Sequence, residues 1–212
     1  RLIEADRYTR ARDWKSFQPG VWDGVLLRGK TLGLVGYGAI GRAVATRAAA
    51  FGLRVLHHRR TPTAEPGYTS LDALLQESDF VSLHLPLNHE SRGLFNAARF
   101  NRMKRGAYLI NTSRGSVVEE QALVDALQSG QLAGAGLDVF EDEPRVHSAL
   151  PGMGNVVLTP HIGGGTRESR RRARLVCIED VARVLAGQRP LHPCNEPEQT
   201  KQATGPGESR LR

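Results

Sequence analysis

The sequence predicts a doubly wound α/β fold, a single parallel sheet with helices on both faces and right-handed crossovers. Three observations carry that prediction. Short apolar runs alternate with helical segments from Thr31 to Leu158, a glycine-rich turn joins the first run to the first helix, and polar segments follow the later runs at their carboxyl ends.

The elements follow in order. Leu2 to Tyr8 has a helical pattern with neither a capping residue nor a turn before it, so the chain reads as opening in mid-helix. Residues 13–29 form an irregular arm whose Trp14, Phe17, Pro19 and Trp22 offer apolar anchors suited to a partner surface. Strands are predicted at Thr31–Val35, Arg54–His57, Phe80–Leu85, Ala107–Asn111, Ala133–Val139 and Asn155–Leu158. Helices are predicted at Ala39–Phe51, in a short segment capped by Ser70 that carries Leu71, Leu74 and Leu75, and at Glu119–Gln128 before Gly130. A last helix runs from Thr166 to about Ala186 and stops at Gly187. Residues 195–212 are rich in Pro, Gly, Glu, Gln and Ser and are expected to be disordered.

At 212 residues the chain holds one large domain, or one domain and part of a second. Its two cysteines, Cys177 and Cys194, lie outside any CxxC or Cys/His cluster, which gives no support to a disulfide framework or zinc site. Cys177 is expected to pack inward from its helix. No apolar run approaches the ~20 residues of a membrane span, and residues 1–20 are charged, so the sequence points to a cytoplasmic protein with no membrane contact. The net charge of +7 comes almost wholly from arginines spread over every segment. Their one dense run, Arg167 to Arg174, is interleaved with Glu168, Ser169 and Ala173, as on a solvated helix face, so no nucleic acid is expected as a partner.

The turn Gly36-Tyr37-Gly38-Ala39-Ile40-Gly41 gains its meaning from the strand before it and the helix after it. Gly36 permits the tight turn, Gly38 lets a pyrophosphate approach the backbone, and Gly41 lets the helix lie close to the strand. Phosphates then meet free N–H groups at the positive end of the helix. This is a Rossmann dinucleotide site. Domains of this kind that bind NAD carry an acid at the end of the second strand for the ribose 2′-hydroxyl. Here that strand ends in His57-His58-Arg59-Arg60, with no acid, and Arg59 and Arg60 suit a 2′-phosphate, favouring NADP over NAD.

Three further segments leave the same sheet edge: Asn111-Thr112-Ser113-Arg114-Gly115, Leu137-Asp138 through Glu143-Pro144, and Thr159-Pro160-His161-Ile162-Gly163-Gly164. Reduction of a 2-oxo acid needs a cation for the carboxylate and ketone, a hydride donor, and an acid for the developing alkoxide. Arg114 supplies the cation and His161 the acid. Glu143 beside the imidazole would favour its charged form and fix its orientation. Asp138 could hold the nicotinamide carboxamide, and Gly163 and Gly164 fall on the cofactor side. His57, His58, His84 and His89 lack such company, and no pair has metal-ligand spacing; His84 is expected at a strand end near the cofactor.

With the glycine turn, the order and spacing of Arg114, Glu143 and His161 resemble the D-isomer-specific 2-hydroxyacid dehydrogenase family over nearly the whole chain. The resemblance implies that Leu85, Pro86, Thr112 and Ser113 line the nicotinamide site, that Ala39 and Ile40 cover the pyrophosphate, and that the protein is a homodimer through its cofactor domain. It implies an NAD(P)-dependent oxidoreductase of small 2-oxo and 2-hydroxy acids, with glyoxylate or hydroxypyruvate favoured. An NAD-linked 3-phosphoglycerate dehydrogenase and a dinucleotide-sensing corepressor are the alternatives. Family members carry a substrate-binding lobe before the opening helix. Residues 1–13 are accordingly a hinge helix from that lobe, 14–165 the Rossmann domain, 166–190 the helix returning to the lobe, and 191–212 a tail. The chain thus reads as a fragment, a mis-started product or a degenerate copy, expected to bind cofactor but to show little turnover alone.

Overall fold

The computed structural model describes residues 1–194, so the expectation of disorder at 195–212 lies outside the described residues. Among the described residues, 1–163 and those from Gly164 onward form two compact units. The first contains α1 (Leu2–Arg10), β1 (Thr31–Val35), α2 (Ala39–Ala50), β2 (Arg54–His58), α3 (Leu71–Glu77), β3 (Phe80–Leu83), α4 (Ala97–Arg102), β4 (Ala107–Asn111), α5 (Glu120–Gln128), β5 (Leu132–Leu137) and β6 (Val156–Leu158). The second holds α6 (Arg167–Leu185).

All six strands are parallel, in the order β2-β1-β3-β4-β5-β6. The order reverses between β1 and β3, and their carboxyl ends flank the crevice where doubly wound sheets bind ligands. A single parallel bridge adds a rudimentary strand outside β2, where His57 N–H donates to the Gly67 carbonyl and its own carbonyl accepts from Thr69 N–H.

Alternation along β1 sends its side chains to two unequal cores. Leu32 and Leu34 pack with Ala48, Val44 and Ala45 of α2, whereas Val35 joins the larger cluster of Leu74, Leu75, Val81, Leu83, Phe100, Leu109 and Leu123 beneath α3, α4 and α5. Gly33 lies on that larger face because any Cβ there would strike Leu74 and Ser78.

The helix ends follow their capping residues. Ser70 Oγ accepts from Ala73 N–H and starts α3, and Thr166 Oγ1 accepts from Ser169 N–H and starts α6. Gly130 and Gly187 stop their helices at φ +69° and +72°. The unpredicted helix is α4, although its signal is present: Asn96 Oδ1 accepts from Arg99 N–H. Two predicted strands run too far, since β3 ends at Leu83 and β5 at Leu137 where the chain turns into the loops of the site.

Three expectations need correction. Cys177 is exposed, because α6 buries no residue among those described. The tail does not begin at Leu191, where the Leu191 and His192 amides donate to Asp180 at 2.7 and 3.1 Å. In the arm, Trp22 turns back on α1, with its ring 5.1 Å from Tyr8 and 5.0 Å from the Arg1 guanidinium, while Trp14 and Phe17 are exposed. No helix among the described residues is long and apolar enough to cross a membrane.

Candidate active site and cofactor cleft

A cleft of about 650 Å³ opens between the ends of β1, β2 and β3. Gly36, Tyr37, Gly38, Arg59, Arg60, Leu85 and Pro86 all line it. Gly36 sits at φ +97°, and a Cβ there would collide with the His84 carbonyl; one on Gly41 would collide with the Gly36 carbonyl. Gly38 faces open space, with nothing within 4 Å of a Cβ built on it, and no side chain caps the N-terminus of α2, which begins with Ala39, Ile40 and Gly41. An uncapped helix start behind an unobstructed glycine is the cradle a pyrophosphate requires, so the residues present fit a dinucleotide.

The far wall is the loop after β3. Asn88 Oδ1 accepts from the Glu90 and Ser91 amides, and the Ser91 hydroxyl donates to the Pro86 carbonyl at 2.7 Å, which fixes Leu85 and Pro86 against the glycine turn. His84 lies immediately beyond β3, and its Nε2 is 3.0 Å from Ser82 Oγ. Burial lowers its pKa. Both predicted cations face the cleft, but neither is isolated: Arg60 pairs with Glu90 at 3.0 Å and Arg59 lies 3.8 Å from Glu65.

The second cluster forms after β4, β5 and β6. Asp138 Oδ1 accepts from Thr159 Oγ1 at 2.5 Å and Ile162 N–H at 2.9 Å, Oδ2 accepts from Gly163 N–H at 2.7 Å, and the Asp138 carbonyl accepts from His161 N–H. This buried carboxylate clasps the 159–163 turn and leaves one lone-pair position on Oδ2. Burial pushes its pKa up, but the hydroxyl, the two amides and nearby His161 outweigh that, for a net lowering. His161 is held at φ +53°, an uncommon backbone for a non-glycine residue, and its Nδ1 lies 2.8 Å from Glu143 Oε2. The His161 bond is the largest influence lowering the Glu143 pKa, followed by Phe140 N–H donating to Oε1. Both bonds aim Glu143 at the imidazole and leave His161 Nε2 free of protein partners among the described residues.

Arg114 is not yet joined to that pair. Its Nη1 donates to the Ser113 carbonyl at 2.7 Å, so the guanidinium folds over its own loop. The loops themselves do meet, because Gly115 lies so close to the Phe140 carbonyl that any Cβ would overlap it. Buried Glu120 strengthens the junction, its Oε1 accepting from Glu141 N–H while its own amide donates to Glu141 Oε2. Thr112 is exposed and Ser113 buried.

Sequence reasoning overlooked Asn111 as an organiser of this loop. Its Oδ1 accepts from Ser113 N–H and Oγ, and its Nδ2 donates to the Arg114 carbonyl. An Asn at the end of a buried strand, two residues before a Ser, was the available signal. Gly164 opens the second unit. Among the described residues, no group of three or more His, Cys, Asp or Glu side chains could hold a metal ion.

The model of the D-isomer specific 2-hydroxyacid dehydrogenase NAD-binding domain matches residues 1–163. The chain belongs to that family. It is 42% identical to the glyoxylate reductase of Thermococcus litoralis, over 92% of this chain and 62% of the relative. Among solved structures, a protein of Thermus thermophilus superimposes with a TM-score of 0.88 at 47% identity, over 92% of this chain and 63% of that one. The NADPH-dependent glyoxylate/hydroxypyruvate reductase of Sinorhizobium meliloti gives 0.82 at 35% identity, over 91% and 62%. This 2-hydroxyacid dehydrogenase chain thus spans less than two thirds of the length of the relatives it matches.

Proposed function

We propose that this chain is the cofactor half of an NADPH-dependent reductase of small 2-oxo acids, with glyoxylate or hydroxypyruvate as substrate. The observation that carries the reading is the Glu143–His161 pair, 2.8 Å apart at the carboxyl edge of a dinucleotide-binding sheet, with Nε2 of the imidazole left free. The named activities of the Thermococcus and Sinorhizobium relatives favour the substrate class.

Bound in the cleft, the dihydronicotinamide supplies a hydride to the ketone carbon. His161 gives the Nε2 proton to the developing alkoxide oxygen, and Glu143 stabilises the charged imidazole that does so. Arg114 swings off the Ser113 carbonyl to hold the substrate carboxylate and polarise the ketone. Leu85, Pro86, Thr112 and Ser113 line the nicotinamide site, Ala39, Ile40, Gly163 and Gly164 take part on the cofactor side, and the free lone pair of Asp138 accepts from the carboxamide. A substrate lobe outside this sequence closes the cleft, with residues 1–13 and 166–190 as its connections, and the exposed Trp14 and Phe17 belong to a homodimer contact.

Calorimetric titration tests the cofactor part: NADPH binds more tightly than NADH, and Arg59→Gln removes the difference. NADPH oxidation by the full-length protein, its substrate lobe included, with glyoxylate or hydroxypyruvate tests the chemistry, and His161→Gln lowers kcat by about 10²- to 10⁴-fold. Tighter binding of NADH, or full turnover in His161→Gln, overturns the corresponding part.

A further inference from the structure

The end of β2 has no acid in sequence, but the fold delivers one. Glu65, in the loop after β2, places Oε1 3.8 Å from Arg59 Nη1 and receives both prongs of Arg42, Nη1 to Oε2 at 2.6 Å and Nη2 to Oε1 at 2.7 Å. The Arg42 guanidinium lies 4.6 Å from the centroid of the Tyr37 ring, and that ring stacks on the buried His57 ring at 3.7 Å and 11°. Tyr37 and Arg59 both line the cofactor cleft. The carboxylate is therefore anchored, through Arg42, to a stack that reaches the glycine turn.

We infer that Glu65 sets the balance between a 2′-phosphorylated and a 2′-hydroxyl dinucleotide at this site. The inference deepens the NADPH reading above and rests on it. Arg42 is occupied by two short bonds, whereas Arg59 stands beyond hydrogen-bond distance of Glu65 and keeps its donors for a ligand. A 2′-phosphate meets those donors, but also a carboxylate close behind them that repels it. A ribose 2′-hydroxyl carries no charge for that carboxylate to repel. Arg42, Arg59 and Glu65 together carry one net positive charge, which attracts the phosphate without excluding the hydroxyl. Arg60 contributes less, because it is more exposed and is already paired with Glu90.

The test uses the full chain, titrated by calorimetry with adenosine 2′,5′-bisphosphate and with 5′-AMP. Glu65→Gln tightens the bisphosphate by about three- to ten-fold at low salt, the gain shrinking as salt rises, while 5′-AMP binds no more tightly than before. Arg59→Gln abolishes that gain, and Glu65→Asp, which keeps the charge, stays near the parent. An equal change for both ligands, or none for the bisphosphate, overturns the role of Glu65. If the parent chain does not distinguish the two ligands and Arg59→Gln changes neither, the NADPH reading itself falls. A silent Glu65→Gln beside an effective Arg59→Gln removes only Glu65.

Discussion

The glycine turn after β1 and the loop cluster after β5 and β6 lie at the same end of one sheet, yet they are shaped by opposite means. At the turn, geometry comes from missing atoms: Gly36 and Gly41 bring backbone against backbone where a methyl group would collide. In the cluster it comes from polar side chains, with Asp138 clasping the 159–163 turn, Glu143 aiming His161, and Asn111 and Glu120 tying the Arg114 loop into place. The first region should be intolerant of added volume and nearly indifferent to acid, the second sensitive to lost charge, even though Gly115 within it leaves no room for a methyl group either.

The largest expected effect is at the turn. Gly36→Ala adds a methyl group against a carbonyl at positive φ, and unfolding in denaturant should show a loss of about 3 kcal/mol together with loss of dinucleotide binding. A neutral Gly36→Ala would break the comparison at once.

Asp138→Asn comes next, with an expected loss of about 1–3 kcal/mol at neutral pH, because a buried charged acceptor of three bonds becomes a weaker, half-donating amide. Its pH dependence sharpens the point. Asp138 and Glu143 both have folded pKa values below the ordinary carboxylate range, so their contribution is fully present above about pH 4 and is lost as pH falls through the folded values. Denaturant midpoints measured from pH 5 downward should fall less steeply in Asp138→Asn than in the parent. An unchanged acid slope would remove the charge-based account of the cluster.

The smallest effect tests whether the turn region is truly indifferent to pH. His57 is buried beneath Tyr37, and burial lowers its pKa below the ordinary value near 6.5, as it does for His84. Around that value the unfolded imidazoles take up protons that the folded ones refuse, so stability rises with pH through the window and declines as pH drops from 7 to 5.5. His57→Phe, which preserves the stack, should flatten that decline by a few tenths of a kcal/mol. A slope identical to the parent would restore the simple contrast.

The same contrast explains what the sequence could disclose. The glycine turn, β1 and the helix caps were legible because each depends on residues adjacent in the chain: a glycine needed at positive φ, an apolar run, a Ser or Thr one turn from its amide. The order and spacing of Glu143 and His161 pointed to a pair, and the fold brings those two side chains into contact. The partners of Arg59 and Arg60 were not, since Glu65 and Glu90 arrive from later segments and local charge cannot reveal what tertiary structure will pair. The same holds for Glu120, which reads as an ordinary first-turn acid until β5 brings the Glu141 amide to it.

The rudimentary strand at Gly67 to Thr69 has a consequence for how these molecules meet one another. β2 ends the sheet, and an outer strand with free amides and carbonyls invites a neighbour's strand to add to it. His57 is the residue at which both outward groups are already taken, by Gly67 and Thr69, and Gly67 approaches the Val55 carbonyl so closely that a side chain would not fit. That short bridge blunts the sheet's flank against ribbon-like aggregation.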